Sequence, residues 1–287
     1  MSWFIYSLLA ALFFSAQRIT SRIILREKGD PIAFTMIHDF LSGVFILPLL
    51  FFFDISFPAK PTTWVFFLLA TVFFTFSDSF SFNAIQNLDI STYQIINQLR
   101  HVFVLFGAFL LYNESLSFFK LLGVFLIILG AVITLYHGKK VSFNTQYKKG
   151  ILFTVLAAFF VSLAFMSDKT LLQDFSFILY ASLSMLGIGV LGSLYLLAIG
   201  KGKSLVKECK LQGKSIFLVA LLFAGYKIFI VLSVATGELS KVIPVTQSSL
   251  VFIVLGGIVF LKEYERLWQK IIGVFVIALG VGSLYLF

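Results

Sequence analysis

The chain has 287 residues, of which 60% are hydrophobic, 17% aromatic and 12% charged. A soluble domain carries roughly 25% charged residues, so this chain lacks the charge to clothe a water-soluble globule, and its mean hydropathy of +1.02 excludes disorder. The single Cys209 excludes a disulfide scaffold. A formal net charge of +9 does not indicate nucleic acid as a partner, because the lysines fall in short loops between apolar runs, as membrane topology requires. The natural solvent is a lipid bilayer.

A span needs about 20 largely apolar residues. Division at charged residues, Gly and Pro predicts ten spans, near 3–25, 32–53, 64–85, 90–112, 118–136, 150–168, 175–199, 215–235, 241–261 and 267–286. The first lacks a basic leader and a small-residue cleavage site, so it reads as a retained span rather than a cleaved signal. No stretch is left for a soluble domain.

In the first span Arg18 and Arg22 share a face, and Arg18 lies deep enough to need a partner, for which Asp39 in span two and Asp78 in span three are candidates. Asp78 sits in a polar strip with Ser77, Ser79, Ser81 and Asn83. Span four is the most informative. Gln94, Asn97, Gln98 and His101 recur at i, i+3, i+4 and i+7, one helical face, with Arg100 flanking it. Four hydrogen-bonding side chains on one stripe line a cavity or glue helices together. Asp168-Lys169 closes span six and reads as interfacial. Lys227 lies near the middle of span eight, where a lone ammonium needs a partner or a ligand. Span nine repeats the stripe of span four with Lys241, Pro244, Gln247 and Ser248. The candidate substrate-binding set is therefore Arg18, Asp39, Asp78, Gln94, Asn97, Gln98, Arg100, His101, Lys227, Gln247 and Ser248, with Asp78 or Asp39 as the proton carrier if transport is proton-coupled. The 37 Phe residues are too many to mark a site and are expected to face lipid or pack between helices.

The chain also matches itself. At an offset of 149, Ser91, Gln98, Val102, Phe103, Gly107 and Glu114 recur as Ser240, Gln247, Val251, Phe252, Gly256 and Glu263. At 150, Lys120, Gly123, Val124, Phe125, Ile127, Leu129 and Gly130 recur as Lys270, Gly273, Val274, Phe275, Ile277, Leu279 and Gly280. This predicts two homologous halves, 1–140 and 150–287, joined by a basic linker, 141–149. Five spans per half force the second half to enter the membrane from the opposite side. The expected fold class is thus an all-α membrane protein, ten transmembrane helices as two inverted five-helix repeats, with a site between them near mid-membrane.

The hinge segments Tyr112-Asn113-Glu114-Ser115-Leu116-Ser117 and Leu261-Lys262-Glu263-Tyr264-Glu265-Arg266-Leu267, each followed by a glycine-spaced helix, resemble the EamA-type ten-helix transporters of the drug/metabolite transporter superfamily. Arg22 is similar to a basic position common near the end of that family's first helix. The resemblance spans essentially the whole chain and implies a small-molecule exporter working by alternating access. The chain departs from it where the family often has Glu-Pro in the fourth helix of a half, since Arg100-His101 and Ser249-Leu250 stand there, and where His38-Asp39 replaces a common Arg in the second helix.

Other chemistries lack their residues. Gly202-Lys203-Ser204 and Gly213-Lys214-Ser215 resemble the end of a P-loop, but the required upstream Gly is Leu197 or Glu208. No hydrolase motif or metal-ligand cluster is present in the sequence, so neither enzyme nor cofactor is expected. Arg26, Lys28, Lys139, Lys140, Lys148, Lys149 and the lysines of 201–214 crowd one face. The positive-inside rule then predicts a cytoplasmic linker and external termini, although the family resemblance implies cytoplasmic termini for many relatives. The function expected is secondary transport of a small polar metabolite such as an amino acid, in the plasma (inner) membrane. The alternatives are a sugar-phosphate or nucleotide-sugar exchanger, or a non-transporting receptor or scaffold. The partners expected are the lipid bilayer, the substrate and candidate coupling protons, with monomer and homodimer both open.

Overall fold

The computed structural model describes residues 2–24, 30–88, 93, 96–135, 145–261 and 267–286, and every regular element among them is helical. The helices are α1 (Ser2–Ile24), α2 (Pro31–Ile46) with a 3-10 continuation (Leu47–Phe51), α3 (Pro61–Asn87), α4 (Leu99–Tyr112), α5 (Phe118–Leu135), α6 (Thr145–Leu171), α7 (Phe177–Ala198), α8 (Gly202–Gln212), α9 (Ser215–Thr236), α10 (Leu239–Thr246), α11 (Ser249–Leu261) and α12 (Leu267–Leu286). Seven helices among the described residues are long and apolar enough to cross a membrane, and Leu99–Tyr112, Phe118–Ile133 and Leu239–Ile253 are shorter apolar stretches.

Local chemistry sets the ends. The Asp30 side chain accepts from the amides of Ile32 at 3.1 Å and Ala33 at 3.3 Å, capping α2, and Pro31 occupies its first turn, where no amide is needed. Asn113 ends α4 in the left-handed region at φ 53°, a conformation that Asn tolerates better than most residues.

Helix pairs carry the packing. Along α3 and α6 the contacts run Phe74–Phe165, Ser77–Ala157 and Phe80–Phe153. Along α1 and α9 they run Ser7–Ser233, Phe13–Phe229 and Phe14–Tyr226. Numbers rise on one helix and fall on the other, so each pair is antiparallel. α2 and α7 pack likewise, through Phe40 on Gly189 and Met36 on Gly192. α5 and α12 cross at their glycines, Gly123 on Gly280 and Gly130 on Gly273, where the backbones touch. A Cβ on Gly280 would sit 2.8 Å from the Gly123 carbonyl oxygen and 3.0 Å from the Ile127 nitrogen. Gly280→Ala is therefore expected to lower stability by about 1–3 kcal/mol. Gly282→Ala, which meets nothing within 4 Å, is expected to be neutral or mildly stabilising. Thermal unfolding of the two variants in detergent checks the contrast.

The structure corrects the expected spans in two places. Spans four and nine are not unbroken helices. Gln98 lies in a turn before α4, with the His101 amide bonded to the Gln98 carbonyl at 3.0 Å. Gln247 and Ser248 form a turn between α10 and α11, their amides bonded three residues back to the Pro244 and Val245 carbonyls. Pro244 lies inside α10, three residues before the turn begins, where it leaves the Ser240 carbonyl without its helical amide partner. The expected polar segment after span seven contains α8, whose Lys203, Lys207 and Lys210 are exposed while Glu208 and Gln212 are buried. Glu208 accepts from the Asp30 amide at 2.9 Å and docks α8 on the start of α2.

Candidate functional site

The polar side chains between the helices fall into connected groups. Arg18 of α1 is exposed, with its guanidinium 4.8 Å from the Phe14 ring centre. Asp39 of α2 is buried, 3.0 Å from Nδ1 of His38 but not aligned for a hydrogen bond. Asp78 of α3 is half-buried, within electrostatic reach of Asp39 and Arg18. The expectation that Asp39 or Asp78 pairs directly with Arg18 is not realised, since neither forms an ion pair with it among the described residues.

The second group bridges the two interruptions. Arg100 Nη2 donates to Gln247 Oε1 at 2.5 Å, and the Ser162 hydroxyl donates to the Arg100 carbonyl at 3.2 Å. Gln98, His101, Gln247 and Ser248 are all buried, while Asn97 is half-buried. The His101 ring approaches Gln247 without a well-formed hydrogen bond. Gln94 and the side chain of Arg22 lie outside the described residues. Tyr93, whose hydroxyl donates to Ser81 at 2.9 Å, and Tyr226 stand within electrostatic reach of both Arg100 and Arg18.

The third group is a buried ion pair. Lys227 Nζ lies 3.6 Å from Asp168 Oδ2, 5.0 Å from the Phe74 ring centre and 5.3 Å from that of Tyr180. The Tyr180 hydroxyl donates to the other oxygen of Asp168. The reading of Asp168-Lys169 as interfacial is thereby overturned for Asp168, which is 2% exposed. α6 continues to Leu171 and carries Asp168 inside the bundle. The available signal was Lys227 itself, because a cation at that depth calls for an acid of similar depth on a neighbouring span. Nothing in the sequence pointed to Tyr93, Tyr180 or Tyr226.

A fourth cluster closes one end. Glu114, in the hinge after α4, accepts from the Leu239 amide at 2.9 Å, from the Ser240 amide at 3.1 Å and hydroxyl at 2.5 Å, and from Lys169 Nζ at 2.8 Å. Lys169 also donates to the Gly237 carbonyl, and Lys120 pairs with Glu238. Polar groups towards this end, Lys227, Asp168 and Gln247, are buried. Those towards the other end, Arg18, Asp78 and Asn97, are exposed or half-exposed. The Glu114 cluster therefore latches one end of the polar seam, and the polar side chains of the seam are more exposed away from it.

An apolar pocket of about 410 Å³ lies apart from this seam, between α2, α7, α8 and α9, lined by Met36, Phe40, Leu205, Ile216 and Phe217 among others. It presents no charged group and suits an acyl chain rather than a polar metabolite.

Comparison with known proteins identifies a family and a shared fold. The model of the EamA-like transporter family matches residues 1–136 and again 148–286. A solved structure, described only as a crystal structure of a protein, superposes with a TM-score of 0.76 at 14% identity, covering 98% of this chain and 96% of the other. At that identity it speaks for the fold alone. No curated protein matches the sequence.

Proposed function

The chain belongs to the EamA-like transporter family, and we propose that it is a secondary active exporter of a small polar metabolite such as an amino acid, working by alternating access. In this reading ten spans form two five-helix repeats, 1–140 and 150–287, inserted in opposite orientations. The α5–α12 crossing supports it. These helices are equivalents at an offset of 150, and Gly123 meets Gly280 while Gly130 meets Gly273. Equivalent helices related by a two-fold axis run antiparallel only when the axis lies across them, in the membrane plane. The other pairings obey the same exchange: α3 on α6 becomes α9 on α1, and α3 on α7 becomes α9 on α2. Two inverted copies make two packings of nearly equal energy available, one open to each side.

The observation that carries the reading is the pair of helix interruptions at Gln98 and Gln247, equivalent positions of the two halves that meet through Arg100. Interrupted apolar helices at corresponding positions mark the site in inverted-repeat transporters, and a mid-helix tight turn serves as a hinge. A ligand seated here touches both hinges and biases one packing over the other. Asp78 and Asp39 are the candidate proton carriers, being acids at membrane depth beside that seam. The reading puts the protein in the plasma (inner) membrane with its basic linker in the cytoplasm.

Reconstitution in liposomes tests it. Saturable counterflow of one compound class, accelerated by a pH gradient, is the expected result. Absence of flux across a broad metabolite panel sinks the transport reading in favour of a receptor or scaffold. Flux that demands a phosphorylated counter-substrate inside points instead to a sugar-phosphate or nucleotide-sugar exchanger.

A further inference from the structure

We infer that the substrate carries a carboxylate and that Arg100 is its counter-ion; this deepens the transport reading and rests on it. A guanidinium stays protonated in proteins, and a charge held at membrane depth needs an opposite charge or a ligand. Lys227 has Asp168, and Lys169 has Glu114. Arg100 has no acidic partner among the described residues. Its neighbours are the neutral Gln247, the phenols of Tyr93 and Tyr226, and a second cation, Arg18.

Several buried polar atoms around Arg100 lack hydrogen-bond partners. Its Nε is buried without a hydrogen-bond partner, as are the Ser248 hydroxyl and both ring nitrogens of His101. His101 is 0% exposed and Ser248 6%. Native interiors leave few buried polar atoms unpaired, yet these cluster where the hinge of one half meets the hinge of the other. Arg100 Nε can only donate, and the Ser248 hydroxyl and one His101 nitrogen can donate beside it, so one added acceptor would serve all three, while the other His101 nitrogen is left to accept. The Nε edge of a guanidinium matches the two oxygens of a carboxylate. The departure from Glu-Pro to Arg100-His101 acquires a reason: it supplies the seam with a cation.

The purified full-length chain is screened by thermal shift and liposome counterflow against the common amino acids, lactate, pyruvate and inorganic phosphate. The best-binding acid is then compared with its carboxamide. The carboxamide is expected to bind the wild type about tenfold or more weakly. Arg100→Gln is expected to weaken the acid by a similar factor while leaving the carboxamide unchanged, and Arg100→Lys to recover part of the loss. Ser248→Ala, a smaller change, is expected to weaken the acid a few-fold and keeps the test decisive if Arg100→Gln does not fold. Equal binding of acid and carboxamide, binding of phosphate alone, or binding of no carboxylate overturns the inference. Substrate-specific flux of a neutral compound, undiminished in Arg100→Gln, would overturn it while leaving the transport reading standing.

Discussion

Lys227→Met destabilises the protein by about 3–5 kcal/mol, because it leaves the Asp168 carboxylate buried without its cation. Asp168 and Lys227 are 2% and 3% exposed and 3.6 Å apart, so neither charge can turn to water when the other is removed. Asp168 retains only the Tyr180 hydroxyl, one hydrogen bond to one of its two oxygens. Asp168→Asn costs less on the acid side, since the amide oxygen still accepts from Tyr180, but it strands the ammonium against the Phe74 and Tyr180 rings. Cation–π contact repays only about 0.5–2 kcal/mol. The double variant Lys227→Met/Asp168→Asn removes both charges and is expected to recover most of the loss, giving an interaction energy of about 2–3 kcal/mol. Denaturant or thermal unfolding in detergent gives all four corners of the cycle. Additive single effects would show that the two charges do not support each other. The same four proteins separate structure from transport. A stable double variant that regains flux assigns the pair to packing, whereas a stable but inactive one assigns it to the substrate or the coupling proton.

The pair also shows where sequence and structure part. The apolar runs were legible because lipid offers no hydrogen bonds to a backbone, so each crossing needs a long, predominantly apolar stretch. The duplication was legible because Gln98, Glu114, Lys120 and three glycines recur in order as Gln247, Glu263, Lys270 and their counterparts. Two of those glycines, Gly123 and Gly130, proved to be points where α5 and α12 touch, while Gly107 packs on Met166 of α6. Burial of Phe between helices was also foreseen, and Phe76, Phe80, Phe153 and Phe160 pack together across α3 and α6. Partnership was not legible. Lys227 and Asp168 are 59 residues apart in sequence, and which acid meets which base depends on the rotation and depth of whole helices. Asp168 near a span end is interfacial or buried according to how far α6 runs past it. The tight turn at Gln98 carries no proline and no glycine, so nothing in span four itself signals the interruption. Arg18 was assigned an acid on depth alone, and its guanidinium lies against Phe14 instead.

Glu114→Gln opens the latched end. The carboxylate gathers the Leu239 and Ser240 amides at the start of α10, the Ser240 hydroxyl and the Lys169 ammonium, so one side chain of the first half holds two elements of the second. Burial pushes the Glu114 carboxyl up, but hydrogen bonds from Lys169 and from the Ser240 hydroxyl and amide, with the charge of Lys169, together hold it below its ordinary value. The amide keeps one acceptor oxygen and turns an N–H₂ towards groups that themselves donate. Each hydrogen bond to a charged group contributes about 1.5–3 kcal/mol, and every 1.4 kcal/mol is about tenfold in an opening equilibrium. Val242, fully buried just inside the latch, reports on it. In a Cys209→Ser background, Val242→Cys is expected to react with maleimide about ten- to a hundredfold faster when Glu114 is Gln. The pH dependence follows from the sign of the shift. A depressed folded pKa means that ionised Glu114 stabilises the fold above the unfolded carboxyl range, and that this stability is lost as pH falls through the folded value. The gap in thermal stability between wild type and Glu114→Gln is therefore constant from about pH 8 to 5.5 and closes only as the pH falls below the ordinary glutamate value of 4.5. A gap that closes near neutrality, or equal labelling of Val242→Cys with and without the carboxylate, would mean that Glu114 does not hold this end shut.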